Sequence, residues 1–122
     1  MPQDRPRLTL VTFGFKYGAP NANYTFDVSF LRNPAREEQW GLFATADEGM
    51  ARFVLEQEEC TTFLDRLLPL IRVLLGFDDD LRIGIGCSSG RHRSRIVAHE
   101  IQRLLEQEGV DVKLVHREEV FA

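Results

Sequence analysis

The sequence predicts an α/β fold: a small sandwich with a four-stranded, largely parallel or mixed sheet and a C-terminal βαβ unit. Three observations predict it. Four short stretches carry strand-type patterning, at about 7–13, 24–30, 81–86 and 110–116. Between them lie segments in which apolar residues recur with helical period. The last three elements then run strand, helix, strand, and a crossover of that kind joins parallel strands with right-handed geometry.

Each element has its own signal. Residues 1–6 hold two prolines and read as a flexible tail, leaving 7–118 as one domain, a length that supports one core. RLTLVTF alternates Leu8 and Leu10 against Thr9, Val11 and Phe13, with the β-branched and aromatic content of a strand. KYGAPNAN is a connection rich in turn residues, and YTFDVSF alternates again. Asn33-Pro34 marks a turn. From Thr45 or Asp47, both candidate caps, Met50, Phe53 and Val54 share a helical face. Thr61 or Thr62 would cap a second helix whose stripe runs Phe63, Leu64, Leu67, Leu68, Ile71, Leu74, Leu75. Gly76 is its expected end, and Pro69 is expected to bend or split it. LRIGIG is a strand with two glycines, which points to close approach of another chain segment. Arg91 to Glu108 reads as a helix with Ile96, Val97, Ile101, Leu104 and Leu105 inside, ended by Gly109 before the last strand.

Bulk composition narrows the function. The net charge is −4, which disfavours a protein that coats nucleic acid non-specifically, since such binding needs many Lys/Arg–phosphate contacts. The N-terminus has no apolar signal region, so the chain reads as cytoplasmic, with no membrane partner. Two cysteines, Cys60 and Cys87, make neither a disulfide framework nor a four-ligand zinc set. No metal and no cofactor is expected.

The chemistry concentrates in GCSSGRHRSR, 86–95, between a strand end and a helix start. The first-turn N–H groups of a helix lack intrahelical partners, and its dipole is positive there, so anions are attracted. Cys87, Ser88, Ser89, Gly90, Arg91, His92, Arg93 and Ser94 are the candidate anion-binding set. The hydroxyls donate, and Arg93 offers a bidentate fork to an oxyanion. A plain solvated Gly/Ser turn has the same composition. In an open α/β sheet, however, ligands bind beyond the carboxyl ends of the strands. There the chain also places Lys16, Tyr17, Arg32, Asn33, His116 and Arg117. Of these, His116 and Arg117 are expected nearest the loop. Phe13, Phe15 and Tyr17 read first as packing residues, although they are also candidates for stacking a base.

Cys87, Gly90, Arg93 and Ser94 spell C-x-x-G-x-x-R-S, which resembles the phosphate-binding loop of cysteine-dependent protein phosphatases. That likeness implies Cys87 as nucleophile and Arg93 as phosphate clamp. Gly86 stands where that family usually has His, and Asp27 and Asp47 match its separate acid by residue type alone. A longer resemblance runs through FGFKYG at 13–18, FDVSFLRNP at 26–34, GCSSGRHRS at 86–94 and HR at 116–117. In order and spacing these are similar to the C-terminal domain of the RapZ/YvcJ family. The chain contains no G-x-x-x-x-G-K-[ST], so it reads as a stand-alone domain of that type, and NTP binding is not carried over. The resemblance implies a regulatory or adaptor module, more an RNA- or phosphosugar-binding domain than an enzyme. It also implies a ribonuclease or other protein partner and self-association into a homo-oligomer. Two departures are plain. Ser88-Ser89 stand where the family commonly has Thr-Gly, and Ala35 stands where it tends to have His. A protein-docking domain with a vestigial pocket is the third reading.

Overall fold

The computed structural model describes residues 6–40 and 47–118. The tail reading for 1–5, the cap reading for Thr45 and the last four residues lie outside the described residues. Four strands form one sheet: β1 (Arg7–Gly14), β2 (Tyr24–Asp27), β3 (Asp80–Cys87) and β4 (Asp111–His116). Three α-helices accompany them: α1 (Glu48–Leu55), α2 (Glu58–Phe77) and α3 (Arg93–Glu106). Single 3-10 turns follow β1, at Phe15–Tyr17, and β2, at Pro34–Arg36.

The sheet order is β2-β3-β1-β4 and every pairing is parallel. The predicted α/β class therefore holds, with all carboxyl ends at one edge. The C-terminal β3-α3-β4 unit is also present, but its strands are not neighbours. β1 lies between them, pairing with β3 on one side and β4 on the other. Alternation along a strand says which face is buried and nothing about which strand pairs with it.

The two faces of the sheet are covered differently. Leu8 and Leu10 of β1, Leu81, Ile83 and Ile85 of β3 and Val112 of β4 join one buried cluster with residues of all three helices, among them Met50, Ile71, Val97 and Ile101. Successive side chains of a strand point to opposite faces, so Val11 and Phe13 are buried on the other side. There the connection between β1 and β2 packs against Phe13. A Cβ added at Gly84 would lie 3.1 Å from the Phe13 ring and 3.4 Å from Pro20. One added at Gly86 would lie 2.5 Å from the Phe13 ring and 2.6 Å from the Phe15 ring. The two glycines of LRIGIG leave room for this connection, which Asn23 fastens by exchanging hydrogen bonds with the Arg82 backbone at 2.8 Å.

Several boundaries differ from the sequence reading. β2 ends at Asp27, three residues short of the alternating stretch. The Asp27 carboxylate accepts the Ser29 N–H at 2.8 Å and Leu31 N–H closes a turn on Val28 O at 3.2 Å, so Val28 and Leu31 are buried from a loop. α2 starts at Glu58 ahead of Thr61, and runs past Gly76 to Phe77. Pro69 sits inside it on the exposed side and does not split it. Asp47 caps α1 as expected, accepting the Met50 N–H at 2.8 Å, and Gly109 follows α3 at φ 87°.

Candidate functional site

β3 delivers Cys87 at the carboxyl edge of the sheet and α3 starts at Arg93, with His92 at its cap. The five residues between fold back over the end of β1. Gly90 has φ 75°, the left-handed region that favours glycine. A Cβ there would meet the Gly14 nitrogen at 2.6 Å, and one on Gly14 would meet the Ser89 carbonyl carbon at 2.4 Å. Two glycines thus face each other across a backbone contact, and Lys16 N–H donates to Ser88 O at 3.2 Å. The loop is seated on the strand end and does not float in solvent.

Its eight residues divide into a buried support and an open rim. Cys87, His92, Arg93 and Ser94 are buried, while Ser88 is exposed and Ser89 and Arg91 are half-buried. Cys87 points toward the helical face, where its thiol belongs to the main core and donates to Ser94 Oγ at 3.4 Å. Arg93 directs one terminal nitrogen at Ser29 O and Leu31 O, at 2.8 and 3.0 Å, and the other at Ser88 Oγ, at 2.9 Å. A guanidinium offers five donors, and these bonds strap the loop after β2 to the loop after β3. On the rim, Ser88 is exposed with its Oγ accepting from Arg93, Ser89 and Arg91 are half-buried, and the neighbouring Lys16 is exposed.

The other predicted contacts separate. Lys16 and the half-exposed Tyr17 stand beside the loop, the Lys16 ammonium 5.2 Å from the centre of the Tyr17 ring. Arg32 does not point that way: its guanidinium lies 5.0 Å over the Phe53 ring of α1. The Asn33 side chain accepts the Ala35 N–H at 3.0 Å, within its own turn. His116 ends β4 and Arg117 follows it, so the end of β1 separates them from the loop. His116 Nδ1 shares a 2.7 Å hydrogen bond with Thr12 Oγ1. Arg117 donates to Gly18 O at 2.6 Å and lies 5.5 Å over the Phe13 ring.

A model of the RapZ C-terminal domain matches residues 6–120. The chain belongs to the RapZ C-terminal domain family. It is 40% identical over 117 residues to a nucleotide-binding protein of Nitratidesulfovibrio vulgaris, covering 91% of this chain and 40% of that one. It is 37% identical over 120 residues to a nucleotide-binding protein of Geobacter metallireducens, covering 93% and 42%. With one from Clostridium beijerinckii it shares 35% over 123 residues, covering 96% and 42%. The chain thus spans about two-fifths of the length of these relatives.

This RapZ C-terminal domain holds one site component that composition concealed. Glu118, in the acidic run after β4, is 4% exposed. Its carboxylate accepts the Gly14 N–H at 2.8 Å and the Arg117 guanidinium at 2.6 and 3.2 Å. Burial alone would raise its pKa. Arg117, the Gly14 N–H and the charge of Arg95 outweigh that and hold the carboxyl below its ordinary value. The sequence signal was available only in hindsight: a carboxylate two residues past a strand end that abuts arginines.

A cavity of about 600 Å³ lies elsewhere, between α1, α3 and the end of β4. Arg95 and His116 line it, but so do Asp47, Glu48 and Glu100, and three carboxylates disfavour a phosphate. Among the described residues no group of three or more His, Cys, Asp or Glu side chains could hold a metal ion, and no helix is long and apolar enough to cross a membrane.

Proposed function

We propose that this chain is an anion-binding regulatory or adaptor module that takes a phosphorylated ligand at the rim of the loop 88–91, and that RNA is the leading ligand. One observation carries the reading: the loop brings Ser88, Ser89 and Arg91 to the start of α3 beside Lys16, with its shape fixed by the Gly14–Gly90 contact. The relatives' description as nucleotide-binding proteins is compatible with a phosphate-bearing ligand. Support for RNA beyond phosphate in general comes from the family resemblance. A phosphosugar-like metabolite is the second ligand of the same chemistry, and a ribonuclease or another protein is the expected partner of a module that presents RNA.

The phosphatase reading fits the geometry less well. A thiol that attacks phosphorus must be accessible and an arginine must grip the phosphoryl oxygens, whereas Cys87 is 2% exposed and Arg93 is bonded to two backbone carbonyls. Asp27 and Asp47 are engaged in local backbone bonds.

The test is RNA retention as a function of salt. With two or three phosphate contacts the affinity for a single strand falls with a log–log slope of about −2, and Arg91→Ala weakens binding across all sequences alike. A flat salt response, or no retention at low salt, removes RNA from the reading. Hydrolysis of an aryl phosphate that disappears in Cys87→Ser would establish the enzyme instead.

A further inference from the structure

We infer that the outer edge of β2 docks an extended, basic segment of a partner protein. The segment pairs with β2 as a fifth strand and lays its cations against the acidic start of α2. No residue of the loop 88–91 lines this surface, so it stands or falls apart from the anion site. β2 ends the sheet: β3 pairs with one side of it, and among the described residues no strand takes the other. A free edge is a row of main-chain donors and acceptors, often blunted by lysine or proline. The strand YTFD carries neither.

Uncovered aromatic surface lies beside this edge. Tyr24 is 45% and Phe30 50% exposed, and Tyr24 shares a face of the strand with Phe26 by alternation. The Phe63 ring of α2 stands edge-on to both phenylalanines, its centre 6.1 Å from Phe26 and 5.5 Å from Phe30. These contacts fix Phe30 while half of it meets water. Phe63 also lines an open groove of about 540 Å³ together with Glu58, Glu59 and Thr62. The charge of that groove selects the occupant. Glu58 and Glu59 are exposed in the first turn of α2, where acid complements the helix dipole. The dipole accounts for the carboxylates and leaves the bare rings and the open edge unexplained. A lysine or arginine answers both, with its stem on an aromatic face and its head group at the carboxylates. A second copy of this chain fits poorly. A two-fold contact places one patch against itself, so Glu58 and Glu59 would meet the same pair, and like charges across an interface repel. An added strand turns alternate side chains to one face. The segment therefore carries its basic residue two positions from an apolar one.

The experiment pans a random eight-residue peptide library, displayed on phage, against the full chain. Backbone amide shifts are then followed with the selected peptide. The expected peptides carry lysine or arginine two positions from an apolar residue, and the shifts concentrate at 24–27 and around Phe63. Glu58→Lys combined with Glu59→Lys weakens the peptide about tenfold or more, as a like-charge clash does. Phe30→Ser weakens it about tenfold, the worth of one large apolar side chain taken from water. Methylation of one alternate set of the peptide's backbone amides abolishes binding, and methylation of the other set leaves it intact. That arm leaves the protein unaltered, so it does not depend on how the variants fold. Equal loss from both sets, or from neither, overturns the strand pairing. Selected peptides that are acidic or lack basic residues overturn the assignment, as does full binding by the charge-reversed variant. Shifts confined to other parts of the chain, or a library that yields no binder, overturn it too. Dimerisation that moves the same amides without peptide gives the edge to a second copy instead.

Discussion

The two faces of the sheet are built on opposite terms. On the helical face, large side chains from β1, β3 and β4 interlock with α1, α2 and α3, and stability comes from apolar area removed from water. On the other face, β3 supplies Gly84 and Gly86, side chains are withdrawn, and the connection 15–23 fits against the strands through Phe13, Phe15 and Pro20. The first face fails when something is removed, the second when something is added. The candidate site belongs to both. Cys87 and Arg93 anchor it toward the helices, while Lys16 and the aromatic turn come from the loop-covered side.

Deletion on the helical face should have the largest effect. Ile101→Ala, at a fully buried position, is expected to lower unfolding free energy by about 2–5 kcal/mol, read by denaturant titration, with the folded fraction still binding phosphate normally. Addition on the opposite face comes next. Gly86→Ala places a methyl 2.5 Å from the Phe13 ring; overpacking of this kind costs about 1–3 kcal/mol, and here it also displaces Phe15, so binding should weaken together with stability. If Gly86→Ala shifts neither the melting temperature nor binding, the contrast between the faces is wrong.

Glu118 sharpens the comparison at the seam. Glu118→Gln keeps the shape and removes the charge, with an expected loss of about 2 kcal/mol, the range for hydrogen bonds to charged groups. The sign with pH follows from its lowered pKa. The carboxylate is stabilising above the ordinary carboxylate range, and its contribution is lost as pH falls from that range through the depressed folded value. Unfolding free energy measured down through that window should fall more steeply for the unaltered protein than for Glu118→Gln. The smallest effect concerns the thiols. Burial, with Glu100 adding to it, pushes Cys60 up to about 11; Cys87 is shielded by access alone, being 2% exposed. Neither should react with a thiol reagent at neutral pH until the chain is unfolded; fast labelling of Cys87 in the native state would reopen nucleophilic chemistry at the loop.

Sequence patterning carried the strands, the helices and the position of the loop, because alternation and helical period are imposed by burial on one face. It did not carry strand order, since β1 and β4 alternate in the same way whichever neighbour they have. It overran β2, because Val28 keeps the apolar rhythm from a loop position after the strand has ended at Asp27. Arg93 was legible as important and not as what it does: a guanidinium beside a helix start binds an oxyanion or a carbonyl equally well, and only the position of Ser29 and Leu31 decides. Glycine spacing was the better guide, since the close approach implied by LRIGIG is where the aromatic turn lies.

The Arg93 strap has a mechanical consequence. Residues 29–32 are gripped twice, by Arg93 at the carbonyls of Ser29 and Leu31 and by Gln57, whose side chain accepts the Arg32 N–H at 2.8 Å and donates to the Arg32 carbonyl at 3.2 Å. Gln57 is the joint between α1 and α2. The rim of the loop and the elbow of the two helices are therefore linked by one short crossbar of chain.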